Sequence, residues 1–102
     1  MLKFKLLVST LASDDIDNVL AWYQEQQPGL EKEFVVELRE FYRRILYNPE
    51  RYGFYVLSKQ IRKARLKKFP YSILSQINDD IIYIAGIIHK ARSDEFIKGR
   101  YL

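Results

Sequence analysis

Apolar and polar residues alternate from residue 63 to residue 67, and this pattern predicts a strand. Ala64 and Leu66 alternate there with Lys63, Arg65 and Lys67. Because successive side chains of a strand point to opposite faces of a sheet, one face of this strand should be buried and the other cationic. We therefore expect the cationic face to meet an anionic partner.

Two further strands are predicted after this basic segment, over residues 71–77 and 81–88. Both are rich in isoleucine, and the Asn-Asp-Asp sequence at 78–80 is typical of a turn. The short links between the three strands favour an antiparallel meander. The last strand is apolar on both sides, which favours a central position in the sheet.

The first half of the chain predicts one strand and two helices. The strand covers residues 2–8, and Ser9 or Ser13 would cap the helix that follows. Apolar residues recur at helical spacing from residue 16 to residue 23, and Pro28-Gly29 ends this helix. A second helix over residues 30–47 must pack antiparallel on the first, because the turn between them is short. Its charged residues, Glu37 among them, are assigned to its outer face.

These elements predict an α+β fold in a single domain that covers residues 1–102. Its order is a strand, an antiparallel helical hairpin and a three-stranded antiparallel meander. The helices pack on one face of a mainly antiparallel sheet, which leaves the opposite face or an edge for function. Residues 54–60 fit a short strand and a turn, whereas residues 89–102 are interpreted only as a polar, basic tail.

Charge is distributed unevenly along the chain. The net charge of +4 combines six basic and nine acidic residues in the first 50 positions with eleven basic and four acidic residues in the rest. This asymmetry suggests that the C-terminal half faces a polyanion or an acidic partner. A basic surface that serves only solubility is the alternative.

Composition excludes several classes of site. With no cysteine and one histidine, the chain has no disulfide framework, no thiol nucleophile and no metal-ligand cluster, so we expect neither a metal nor a cofactor. The apolar run near the N-terminus is too short for a signal peptide and is soon followed by Asp14 and Asp15. Residues 81–88 are too few to span a bilayer. We expect a cytoplasmic protein without membrane contact.

Four segments carry a resemblance to a known family. They lie at the corner between the helices, after the second helix, on the basic strand and at the end of the last strand. Their sequences are WYQEQQPGL (22–30), NPERY (48–52), IRKARLKKFPYSI (61–73) and HKAR (89–92). In this order they resemble the RelE/ParE superfamily of bacterial type II toxins, above all its ParE-like or plasmid-stabilisation branch.

The resemblance implies a bacterial toxin that inhibits growth when free and is neutralised by a cognate antitoxin, with which it forms a higher oligomer. Some members of the superfamily inhibit DNA gyrase, and others cut messenger RNA in the ribosome. We favour ParE-like gyrase inhibition. A ribosome-dependent mRNA endonuclease is the alternative, and a non-toxic binding module for plasmid maintenance is a third hypothesis.

If the chain is an enzyme, the resemblance implies a metal-independent endoribonuclease. Attack by a ribose 2′-hydroxyl needs a proton acceptor, cations around the phosphate and an acid for the leaving oxygen. His89, Arg65 and Arg92 are the catalytic candidates in that case. For His89, a structural hydrogen-bonding role is the competing interpretation. The family pattern has two adjacent arginines where this chain has Ala91-Arg92, and this difference favours an inhibitor.

Binding to the target or to the antitoxin is assigned to basic residues of the predicted strand and the last-strand end. Alternate positions on one side of a strand favour a ligand surface over a solubilising one. Trp22 and Tyr23 are interpreted as packing of the helical hairpin rather than as base-stacking residues. The candidate binding residues are Arg62, Lys63, Arg65, Lys67 and Arg92.

Overall fold

Residues 3–102, which the computed structural model describes, form five strands and three α-helices. Two short 3₁₀ helices, Pro49–Arg51 and Leu57–Lys59, flank the second strand. Residue 2, where the predicted first strand begins, lies outside the described residues. The elements are β1 (Lys5–Val8), α1 (Thr10–Gln26), α2 (Leu30–Tyr47), β2 (Phe54–Val56), β3 (Ile61–Arg65), β4 (Tyr71–Asn78), β5 (Ile81–His89) and α3 (Asp94–Tyr101).

The strands form one mixed sheet in the order β1-β5-β4-β3-β2. β3, β4 and β5 pair antiparallel, with Arg62 opposite Ser75 and Tyr71 opposite His89. β1 pairs with β5 in parallel, so β5 lies between two neighbours as its apolar sequence predicts. The predicted α+β fold and its antiparallel meander are therefore confirmed.

The helical hairpin begins and turns where the sequence predicts. Ser9, not Ser13, caps α1, because its Oγ accepts a hydrogen bond from the backbone N–H of Ala12 at 3.1 Å. α1 ends just before Pro28, and Gly29 takes a φ of 101° that favours glycine. The short turn lets α2 pack beside α1 on the same face of the sheet.

The main core lies between this hairpin and the sheet. Phe34 and Ile45 of α2 are completely buried against Ile73 of β4 and Ile82 and Ile84 of β5. Burial of aliphatic and aromatic surface is the dominant stabilising contribution to such a core.

The opposite face of the sheet carries a second, smaller core under α3. Ile97 of α3 packs there with Ile61, Leu74 and Ile88. The two hairpin helices pack on one face as predicted, and the third helix, α3, which the sequence did not predict, covers part of the opposite face. α3 has only eight residues, capped by the Ser93 hydroxyl, and so short a helix leaves too little periodicity to be recognised in a basic tail.

α3 also covers the part of β5 that extends beyond β1. The Asp15 carboxylate accepts hydrogen bonds from the N–H of Ile87 at 2.9 Å and from the Arg100 guanidinium at 2.7 Å. The Tyr101 hydroxyl donates to the carbonyl oxygen of Ala85 at 2.9 Å. These side chains satisfy backbone groups that a neighbouring strand would otherwise bond, and they join α1, β5 and α3.

Candidate functional site

Strand β3 divides its side chains between the two faces of the sheet. Ala64, and Leu66 just beyond the strand, are buried in the core under the hairpin. Lys63, Arg65 and Lys67 line an open cleft instead. The predicted separation of apolar and cationic side chains is thus confirmed.

We call this opening, of about 780 Å³, the basic cleft. It lies between the connection from β3 to β4 and the end of β5. Within residues 3–102, none of its lining residues is Asp or Glu, so its electrostatic potential is positive. Tyr55, Tyr71, Ser72 and His89 contribute polar and aromatic surface to it. Its cationic side chains are Lys63, Arg65, Lys67, Lys68, Lys90 and Arg92.

Crowding of positive charge is evident at Lys63. Its Nζ lies 4.1 Å from the centre of the Tyr55 ring, a cation–π contact on the wall of the cleft. Partial burial lowers the pKa of Lys63, and the neighbouring Arg65 lowers it further. An anion bound beside these two residues would oppose both effects, since it would stabilise the charged ammonium.

A buried carboxylate fixes the loop that forms one side of the basic cleft. Both oxygens of Glu37 accept hydrogen bonds from the backbone N–H of Lys68, at 3.1 and 3.0 Å. Glu37 is buried, so its assignment to the outer face of the second helix is wrong. Helical spacing alone places it beside the apolar stripe, and only its partner in a distant loop makes burial of the charge acceptable.

Arg62 lies away from the other candidate binding residues. Its guanidinium donates to the carbonyl oxygens of Tyr52 at 2.7 Å and Glu50 at 3.1 Å, and it stacks on Phe54 at 4.1 Å. Because Arg62 is one position out of phase with Lys63, it points to the other face of β3. These contacts tie β3 to the segment after α2.

The three catalytic candidates, in contrast, line one cleft. His89 ends β5, and its ring packs perpendicular to Tyr71 with 5.1 Å between ring centres. Nδ1 of His89 accepts a hydrogen bond from the N–H of Ala91 at 3.0 Å, so the neutral ring carries its proton on Nε2. Arg65 and Arg92 line the same opening. The histidine thus makes a local hydrogen bond and also borders the candidate site.

An aromatic recess of about 410 Å³ adjoins the basic cleft. Tyr23 is buried in it and packs on Phe69, as the hairpin interpretation predicts. Trp22 is 53% exposed, and for this residue the packing interpretation is wrong. Trp22 lies outside the apolar stripe that ends at Tyr23, and this position could have identified it as an exposed residue. The recess is lined by Trp22, Tyr23, Pro70, Tyr71, His89, Ala91 and Arg92.

Arg92 and Tyr71 belong to both openings. The Arg92 guanidinium stacks on Phe96 of α3, 4.4 Å from the ring centre. Burial raises the pKa of the Tyr71 hydroxyl, and the charge of Arg92 partly opposes that increase. Tyr71 is therefore a neutral hydrogen-bond donor near neutral pH.

Metal binding and membrane insertion are two further possibilities for residues 3–102. No group of three or more His, Cys, Asp or Glu side chains in this range is placed to hold a metal ion. None of the helices formed by these residues combines the length and the apolar character needed to cross a bilayer.

No protein-family model matches the sequence, and no curated protein matches it either. Among solved structures, the chain is similar to one from the chromosomal ParDE TA system from P. aeruginosa, with a TM-score of 0.76 and 18% sequence identity. The match covers 85% of this chain and 96% of that chain. At this identity the likeness shows the fold alone, and it agrees with the α+β architecture that the sequence predicts.

Proposed function

We propose that this chain is the toxin of a type II toxin–antitoxin system, a growth inhibitor that a cognate antitoxin neutralises. The fold likeness to a chain of a ParDE TA system, over 85% of this chain, carries the proposal. The basic cleft supports it, because six cations around one opening are suited to bind an anionic target or partner.

For the target, we propose ParE-like inhibition of DNA gyrase. Just after β5 the chain has one arginine, Arg92, preceded by Ala91, where the family pattern has two adjacent arginines. A site that lacks one of these cations would stabilise a crowded phosphate less well. This difference favours an inhibitor that binds its target without cutting RNA.

A ribosome-dependent mRNA endonuclease is the second candidate, because His89, Arg65 and Arg92 line one cleft. In such a reaction a base takes the proton of the ribose 2′-hydroxyl, the 2′-oxygen bonds to phosphorus, and the bond from phosphorus to the 5′-oxygen breaks as that oxygen takes up a proton. The two arginines would stabilise the phosphate charge, and His89 would transfer a proton. Both candidate targets lie in the cytoplasm.

Induction of the chain alone in bacteria tests the proposal. Growth should stop, and a DNA-damage response should accompany the arrest if gyrase is the target. Halted translation with cleaved messages would instead support the nuclease, and His89→Ala should then abolish cleavage. Normal growth, compared with a matched gene that carries an early stop codon, would contradict the toxin function.

The antitoxin is proposed to place an acidic segment, on a helix or a strand, across the basic cleft. Amide and side-chain protection in a purified complex would test this placement. If Lys63, Arg65, Lys67 and Arg92 were all as accessible in the complex as in the free chain, the proposed contact would be wrong.

A further inference from the structure

We propose that the aromatic recess binds one nucleobase of a single-stranded nucleic acid whose phosphates lie in the basic cleft. The inference rests on the proposed function for the anionic ligand of the basic cleft, and it deepens that function by adding a site for a base. It assigns a ligand class to Trp22, a large aromatic residue that is more than half exposed.

Trp22 is exposed although it lies beside buried aromatic residues. More than half of its surface is accessible, although Tyr23, Phe34 and Phe69 beside it form a closely packed aromatic cluster. Trp22 contacts this cluster through an edge-to-face contact with Tyr23, 5.1 Å between ring centres. A large indole left on the rim of a recess is suited to pack against another flat ring.

The aromatic recess and the basic cleft are continuous with each other. The recess and the basic cleft share Pro70, Tyr71, His89, Ala91 and Arg92. A nucleotide is a flat ring joined to an anion, and here an aromatic opening is joined to a cationic one. Single-strand binding surfaces combine these two features, a basic groove for the backbone and aromatic side chains for the bases.

The charge around the two openings favours an anionic ligand. Within residues 3–102, no carboxylate lines either opening, so a polyanion is favoured over a neutral apolar segment of a protein. Bases inside a duplex are stacked on one another and cannot enter the recess unless they are flipped out. A single strand, whose bases are already accessible, fits best.

The chain supplies its own reporter, because Trp22 is its only tryptophan. Titration of the purified chain with nucleoside 5′-monophosphates should quench the Trp22 fluorescence in a saturable manner. Ribose 5-phosphate, which has the same anion without a base, should not. Equal effects of the two ligands, or no effect of either, would overturn the proposal.

Binding of labelled single-stranded oligonucleotides, measured by fluorescence anisotropy at low salt, gives a second test. Trp22→Leu should weaken binding about ten-fold, whereas Trp22→Phe should retain most of it. Tyr47→Leu is the matched control, because Tyr47 is an exposed aromatic residue on α2 outside both openings. Unchanged binding by folded Trp22→Leu would contradict the assignment; if that variant does not fold, the quenching experiment decides.

The competing occupant is an acidic peptide with an aromatic side chain, and Glu-Glu-Phe-Glu-Glu serves as its probe. Stronger quenching of Trp22 by this peptide than by nucleotides would overturn the proposal in favour of a protein ligand. Growth arrest in cells is a separate measurement. Arrest without nucleotide quenching contradicts the base site alone, and quenching without arrest contradicts the toxin function alone.

Discussion

One face of the sheet is closed by the α1–α2 hairpin, and side chains between them, such as Phe34 of α2 and Ile73 of β4, are completely buried. On the opposite face, α3 covers Leu74 and Ile88, and the same surface continues into the basic cleft with Lys63 and Arg65. The first face is closed and apolar, whereas the second is partly open and cationic. Burial on the first should therefore determine stability, and charge on the second should determine binding.

The sheet has side chains on both faces, so the comparison can be tested by substitutions on either side of it. A substitution under the hairpin should change the free energy of unfolding, and a substitution in the cleft should change activity with little effect on stability.

Phe34→Ala should have the largest effect. Phe34 is completely buried under the hairpin, and removal of its ring should lower the free energy of unfolding by about 3–5 kcal/mol. Urea denaturation followed by circular dichroism measures this change. Val36→Ala on the same helix is the control, because Val36 is 65% exposed. A loss below about 1 kcal/mol for Phe34→Ala would show that this face is not the main stabilising core.

Glu37→Ala should have the next largest effect, because it connects the two faces. It leaves the N–H of Lys68 without its carboxylate acceptor and should cost about 1–3 kcal/mol. Hydrogen exchange at the Lys68 amide should become faster, and the loop beside the basic cleft should loosen. Glu33→Ala, at an exposed position on the same helix, is the control. Unchanged exchange at Lys68 would contradict the positioning role of Glu37.

Tyr42→Phe should be nearly neutral at pH 7, within about 1 kcal/mol, because the buried Tyr42 hydroxyl has no hydrogen-bond partner among residues 3–102. Burial raises the pKa of Tyr42 from 10.0 to about 12. Stability from this group is therefore complete below pH 10 and is lost as the pH rises towards 12, since the unfolded chain ionises first.

Denaturation of the Tyr42→Phe variant across this pH range provides the measurement. The variant should lose less stability between pH 10 and pH 12 than the parent chain, although other buried tyrosines still contribute. Tyr47→Phe, which removes a tyrosine hydroxyl at an exposed position, is the control. Identical alkaline profiles for Tyr42→Phe and the parent would contradict the raised pKa.

The double substitution Arg65→Glu with Lys67→Glu should change stability least, by no more than about 0.5 kcal/mol, because both side chains are exposed. It should nevertheless abolish growth inhibition, because two cations of the basic cleft become anions. Lys32→Glu with Arg39→Glu makes the same change of charge at exposed positions of α2 and should leave inhibition intact. Full toxicity of the cleft variant would rule out a role for this surface.

Much of the fold could be predicted from local patterns. The alternation in β3, the apolar β5, the Ser9 cap and the Pro28-Gly29 turn each express a preference of neighbouring residues, and each is found in the structure. Helix α3 could not be predicted, because its eight residues are stabilised by packing on β3, β4 and β5 rather than by a long amphipathic pattern.

The sequence by itself determined the order of the elements from β1 to β5 and the separation of cations from apolar residues on β3, because periods of two and 3.6 residues act over short stretches of chain. Only the tertiary structure decided which charged and aromatic groups work together. Glu37 meets Lys68 across 31 residues, and Trp22 meets the end of β5 at a shared recess. Such pairings depend on how the helices and loops pack, and local sequence preferences do not encode them.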